Sequence, residues 1–263
     1  MPVALLILFS LLLLSAPDTD FIEVSPINGV EAKTVLYSMT DSTPIPSELL
    51  GQFDPAHHSD FILVPDKYGN KSGMYLRKET MKAFRAMKAE ADKEGLPMII
   101  MSATRNFDAQ KLIWENKWTG KTKVGGKSLA ISLPNPLERS KKIMELSAMP
   151  GTSRHHWGTD IDFNALDNAW FMKPMGKKWY EWMLDNASKF GFCQAYTQKG
   201  SLRPNGYNEE KWHWSYTPLS KIFLKSYLEQ IQISHISGFK GAECAEELQV
   251  IQHYVKGVSA ICQ

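Results

Sequence analysis

The stretch Ser153-Arg154-His155-His156-Trp157-Gly158-Thr159-Asp160-Ile161-Asp162 places two imidazoles and two carboxylates within ten residues. Its last part, Thr159 to Phe163, reads as a short strand on which Asp160 and Asp162 share a face. About fifty residues later comes Glu209-Glu210-Lys211-Trp212-His213-Trp214, and Trp212 to Tyr216 alternates as a second strand. If His213 faces a metal, Trp212 and Trp214 turn to the opposite face and pack into the core. Imidazole together with carboxylate is the ligand chemistry that zinc selects at catalytic sites, where three protein ligands leave a fourth position for water. Periodicity leaves open whether Asp160 or Asp162 is the ligand. Of the adjacent His155 and His156, at most one aims inward from extended backbone. Glu210, three residues before His213, can act as a general base that does not bind the metal.

Working outward, helices and short strands alternate without a regular βαβ rhythm. Met81, Phe84, Met87 and Ala91 recur at spacings of three and four, and Gly95 and Pro97 end that amphipathic helix. Met98 to Met101 reads as a buried strand and Phe107 to Trp118 as a second helix. Tyr180, Met183, Ala187 and Phe190 form one face of a third, and Thr217-Pro218 opens a fourth. The expected class is α+β, with a small, mainly antiparallel sheet and packed helices. The segment 117–142 holds seven Lys and Arg against Glu138 alone, with several Gly and Pro, and reads as a basic surface insertion in a catalytic domain spanning 76–231. Residues 17–75 read as an irregular N-terminal wrap and 232–263 as a C-terminal tail.

The chain of 263 residues carries 43% hydrophobic and 22% charged side chains, which is globular composition, and is long enough for one large domain with extensions. Thirty basic and 28 acidic side chains leave a net charge of +2, too balanced for a nucleic-acid partner. Residues 1–16 hold a nine-member apolar block interrupted by Ser10, which reads as a signal peptide or an uncleaved N-terminal anchor. Membrane attachment is expected only through that segment, and the protein is expected to be exported to the periplasm or cell envelope. Three cysteines without a Cys-x-x-Cys motif make a thiolate metal site a poor reading. In an exported protein Cys244 and Cys262 can close a loop in the tail, which leaves Cys193 as a buried thiol.

Ser153-x-His155-x-x-Gly158-x-x-x-Asp162 together with Glu210-x-Trp212-His213 resembles the paired signature of the zinc D-alanyl-D-alanine carboxypeptidases, whose wider fold is shared with the Hedgehog signalling domain. Upstream, Ser102-Ala103-Thr104-Arg105 with Gln110 resembles the family's Ser-Gly-Tyr-Arg element ending in Gln. The resemblance implies one Zn2+ held by His155, Asp162 and His213, with Glu210 as catalytic base. It implies that Arg105 binds or polarises the substrate carbonyl and that Ser153 and Gln110 help to hold the substrate. The implied substrates are peptidoglycan stem peptides. Ala103-Thr104 in place of Gly-Tyr, and Asp160 where the family commonly has Ala, depart from the pattern.

Several residues near the motifs have blander readings. His156 is expected as an outer partner or surface residue, Asp160 as an outer partner, Glu209 as exposed, and His57 and His58 as surface residues of an N-terminal loop. An endopeptidase or dipeptidase on the same scaffold is the nearest alternative activity. A zinc-containing binding module would have no need of Glu210 or Arg105, and a serine hydrolase built on Ser153 and His155 lacks a Gly-x-Ser-x-Gly elbow.

Overall fold

The computed structural model describes residues 46–263; the apolar segment 1–16 and the first part of the 17–75 stretch lie outside the described residues. The described elements run α1 (Pro46–Leu49), β1 (Phe61–Leu63), β2 (Tyr75–Arg77), α2 (Lys78–Lys93), β3 (Ile100–Ser102), α3 (Phe107–Trp118), α4 (Leu129–Ser132) and α5 (Pro136–Ile143). They continue with β4 (Asp160–Phe163), α6 (Pro174–Asn186), β5 (Phe192–Gln194), β6 (His213–Tyr216) and α7 (Thr217–Gln230). None of these helices is long and apolar enough to cross a membrane. β1 pairs with β2, and β3-β4-β6-β5 form a four-stranded sheet in which every pairing is antiparallel. The expected α+β class is what the structure shows.

Sequence chemistry explains the elements. On α2 the buried residues Met81, Phe84, Met87 and Ala91 form the stripe that the spacing implies, and the helix stops two residues before Gly95, whose φ of +66° suits glycine. The Asn106 side chain caps α3 by accepting the Ala109 N–H at 2.9 Å. Proline opens α5 and α6, where its missing N–H costs nothing. The strand read at Met98–Met101 sits slightly further on, at Ile100–Ser102. α6 buries Trp179 and Met183 in preference to Tyr180, because the two tryptophans at 179 and 182 offer more apolar area.

The sheet sorts its side chains by parity. β4 and β6 pair with Asp160 opposite Ser215, Ile161 opposite Trp214 and Asp162 opposite His213. Ile161, Phe163, Trp212 and Trp214 all enter one core with Phe84 and Trp179, which leaves Asp160, Asp162, His213 and Ser215 on the other face. A second core gathers around Trp114, Trp157, Phe223 and Tyr227. Residues 232–263 supply much of it through Ile236, Leu248, Val250, Val255 and Val258, so the tail is packed chain.

One expectation is corrected here. The disulfide joins Cys193 to Cys262, and Cys244 is the buried free thiol. Cys193 lies on β5, and the end of the tail is drawn beside it by Ser259, which donates N–H to Ala195 O at 2.9 Å and Oγ–H to Gln194 O at 2.7 Å. All three cysteines lie in the second core, but only Cys193 and Cys262 are brought together there. Closing a loop between positions 69 apart contributes about 4 kcal/mol on the chain-entropy account. Denaturant unfolding with and without reductant should show a loss of that order, and equal midpoints would contradict the estimate.

Candidate metal centre and catalytic cleft

The site forms where β4, β6 and a tight turn meet. The turn Arg154–Trp157 ends at Gly158, whose φ is +72° and whose position leaves no room for a side chain: a Cβ would lie 2.4 Å from the Phe61 ring. That turn delivers His155 to the same place as the cross-strand pair Asp162 and His213. One donor atom from each of the three lies within 4.8 Å of the others, and all three residues are buried. His155 Nε2 stands 3.3 Å from Asp162 Oδ2, and His213 Nδ1 stands 3.1 Å from Asp162 Oδ1.

The hydrogen bonds around the two rings fix which nitrogens are bare. His155 Nδ1 donates to Ala103 O at 2.8 Å, which leaves Nε2 as a lone pair. His213 Nε2 donates to Asp160 Oδ1 at 2.9 Å, which leaves Nδ1 facing Asp162 and Glu210. Asp160 is itself held by Arg154 Nε at 3.0 Å and Thr159 Oγ1 at 2.5 Å. Asp160 is therefore the carboxylate that orients His213, and Asp162 is the one at the cluster. His155 Nε2 and Asp162 Oδ1 are buried without a hydrogen-bond partner. Buried lone pairs aimed at one another without a proton between them are what a divalent cation would satisfy, so the residues present fit zinc.

The electrostatics agree. Burial opposes charging of His213, but Asp160, Asp162 and Glu210, whose carboxylate oxygens accept from its ring, outweigh it and raise its pKa well above the ordinary histidine value, so that a proton held at Nδ1 is what a divalent cation would displace there. Asp162 is pushed up by burial and more strongly down by His155 and His213, so that it stays ionised. For Glu210 burial dominates and raises the carboxyl above its usual value, with His213 opposing. A raised carboxylate beside the metal cluster is suited to proton transfer.

The remaining expected site residues converge on the same cleft, about 220 Å³ in volume. Glu210 Oε2 lies 3.4 Å from His213 Nδ1. Arg105 donates from Nη1 to Ser102 Oγ at 2.6 Å and from Nε to Gln110 Oε1 at 3.0 Å, and Nη1 stands 3.6 Å from Asp162 Oδ2. Gln110 in turn donates to Ala148 O at 2.7 Å, so the guanidinium is held by a chain of fixed partners. Ser153 lines the cleft. Neither ring nitrogen of His155 is bonded to Ser153, which removes the serine-hydrolase arrangement.

Three features escaped the sequence reading. His156 is wholly buried: its Nδ1 donates to Arg105 O at 2.6 Å and its Nε2 accepts the Gly151 N–H at 3.0 Å. Tyr196 and Tyr207 line the cleft, with the Tyr196 ring 4.7 Å from that of His213. Lys117 lines it too, and its position seven residues after Gln110 on one helix was the available signal. His57 is exposed as expected, whereas His58 is partly buried against Glu48 at 2.9 Å.

Burial depresses the His156 pKa to about 3, against 6.5 for the free side chain. Between those values the unfolded chain takes up a proton that the folded chain refuses. The stability tied to neutral His156 is thus complete above pH 6.5 and falls as pH drops towards 3, by about 1.4 kcal/mol per unit. Urea unfolding of the wild type and His156→Asn across that window should show the difference in slope; parallel curves would contradict it.

Comparison with known proteins places these observations. The family model described as "VanY: D-alanyl-D-alanine carboxypeptidase" matches residues 73–219. The putative carboxypeptidase YodJ of Bacillus subtilis (strain 168) is 25% identical over 209 residues, covering 74% of this chain and 66% of the relative. A D-alanyl-D-alanine carboxypeptidase of Enterococcus faecalis (strain ATCC 700802 / V583) is 24% identical over 203 residues, covering 76% and 65%. This chain therefore spans just under two thirds of the length of those relatives. Among solved structures, the LdcB LD-carboxypeptidase is 24% identical with a TM-score of 0.48, covering 75% of this chain and 81% of that one.

Proposed function

Because the chain belongs to the VanY D-alanyl-D-alanine carboxypeptidase family, we propose that it is a zinc carboxypeptidase that removes the terminal residue of peptidoglycan stem peptides. The observation that carries the reading is the convergence of His155, Asp162 and His213, with bare donor atoms, beside Glu210 and Arg105. In this reading the three converging residues hold one Zn2+. Zinc, when bound, supplies Lewis acidity and lowers the pKa of water to roughly 7.

The chain's own residues do the rest. Glu210 accepts the proton of the attacking water and returns it to the leaving amine as the peptide C–N bond breaks. Its burial keeps the carboxyl ready to hold that proton between the two events. Arg105, locked between Ser102 and Gln110, presents a fixed positive charge to the carbonyl oxygen as it becomes an oxyanion. Ser153 and Gln110 line the cleft where the substrate lies. Asp160 keeps the His213 ring in the orientation and tautomer that leave Nδ1 bare.

Stem peptides lie outside the cytoplasmic membrane, so the reading includes export to the periplasm or cell envelope. The apolar block in residues 1–16 and the Cys193–Cys262 disulfide support it. Purified protein should contain about one zinc per chain and release D-alanine from a pentapeptide stem. Cleavage of D-Ala-D-Ala alone, or release of an internal fragment only, would replace the carboxypeptidase reading by the dipeptidase or endopeptidase one. Zinc without any hydrolysis would leave a binding module.

A further inference from the structure

Helix α3 carries three cleft residues on one face, Gln110, Ile113 and Lys117, at spacings of three and four. Lys117 stands two turns beyond Gln110, about 10 Å along the axis, and a helical side chain leans back towards the N-terminus, here towards Arg105. Its ammonium donates to Ser147 Oγ, and Ser147 is buried in the wall of the same cleft. One such bond leaves two of the three N–H donors unused. Lys141 and Lys142 have carboxylates at 2.8 and 2.7 Å, whereas among the described residues no carboxylate forms an ion pair with Lys117. Beyond Arg105, which stands near Asp162, the cleft thus contains a second cation with which no carboxylate of the described residues pairs.

We propose that Lys117, together with Ser147, forms a carboxylate-binding subsite of the cleft and restricts hydrolysis to peptides with a free carboxylate near the scissile bond. The proposal rests on the zinc-peptidase reading and deepens it by naming the substrate group that the cleft selects. Burial, then repulsion from Arg105, lower the Lys117 pKa, with Glu210 opposing; an arriving carboxylate would relieve both. The recognised group is a carboxylate in either of two places: the terminus of the peptide or the side chain of an acidic stem residue.

Three peptides separate the sources: a pentapeptide acid with an acidic third residue, its C-terminal amide, and its analogue without the side-chain carboxylate. Lys117→Met should raise KM for the first by roughly 10- to 100-fold, the worth of a charge-assisted hydrogen bond, with kcat within about twofold. Lys117→Arg should restore part of the loss. Against the peptide that lacks the recognised carboxylate, wild type and Lys117→Met should be alike. Identical KM values on all three peptides would overturn the proposal, and so would an equal loss on all three, which marks Lys117 as a tether between α3 and the Ser147 loop. If the wild type hydrolyses none of them, the peptidase reading has failed. Calorimetric titration of the zinc-loaded protein with the pentapeptide acid, which carries both carboxylates, then tests Lys117 separately. Weaker binding when Lys117→Met is introduced supports the subsite, and unchanged binding refutes it.

Discussion

Glu210→Gln should lower kcat by at least about a hundredfold while the protein still binds zinc. The amide keeps the shape of the carboxylate and removes its capacity to take a proton. Glu210 lies 3.4 Å from His213 Nδ1, while the triad of His155, Asp162 and His213 supplies three donor atoms without it. Its backbone N–H is anchored to Tyr196 O at 2.9 Å, so the substitution should leave the local chain in place. Metal analysis alongside steady-state kinetics checks both halves of the expectation. Nearly full activity would refute the role of base, and loss of zinc would make Glu210 a ligand. The raised carboxyl also fixes the direction of the acid limb: activity should rise with pH as Glu210 ionises, and Glu210→Gln should abolish that limb.

His213→Ala should fail in the other way, by losing the metal. In the proposed reading it deletes one of the three ligands, and it also leaves Asp160 and Asp162 buried without the imidazole they face. Zinc affinity should fall well beyond the roughly 10- to 100-fold expected for an outer partner, with activity partly recovered at high zinc. Asp160→Asn provides the contrast. It preserves shape and a hydrogen bond to His213 Nε2 but weakens the hold on the ring, so its affinity loss should stay within that smaller range. Competition with a chromogenic chelator measures all three proteins on one scale. Equal losses for Asp160→Asn and His213→Ala would show that Asp160 is a ligand.

Much of the fold and the site is written in local pattern. The alternation in Trp212-His213-Trp214 suffices to place the tryptophans in one core and His213 on the other face, because parity on a strand admits no third choice. Parity could not separate Asp160 from Asp162, which share a face; the register opposite Ser215 and His213, together with Arg154, separates them. Arg154 itself was silent in the sequence, since a buried arginine looks like any other until its carboxylate is found. The cysteine pairing depends on where the tail returns, and residues 232–263 carry no periodicity that shows they dock beside β5. The sequence leaves His156 between an outer partner and a surface residue, because adjacency to His155 argues only against a second ligand. It gave no hint that a tight turn would bury His156 beneath Arg105 and Gly151. Lys117 was counted among surface charges, although its place on the face of Gln110 marked it for the cleft.

In the proposed reading one zinc sits between His155, Asp162 and His213, with Glu210 outside its ligand set. Anomalous diffraction at the zinc edge from zinc-loaded crystals locates that metal. A single strong peak is expected at roughly 2.0 to 2.2 Å from His155 Nε2, His213 Nδ1 and an Asp162 carboxylate oxygen. A peak bound to Asp160 or Glu210, or one found instead among Glu48, His58 and Asp60, the other grouping of potential donors among the described residues, would contradict that reading.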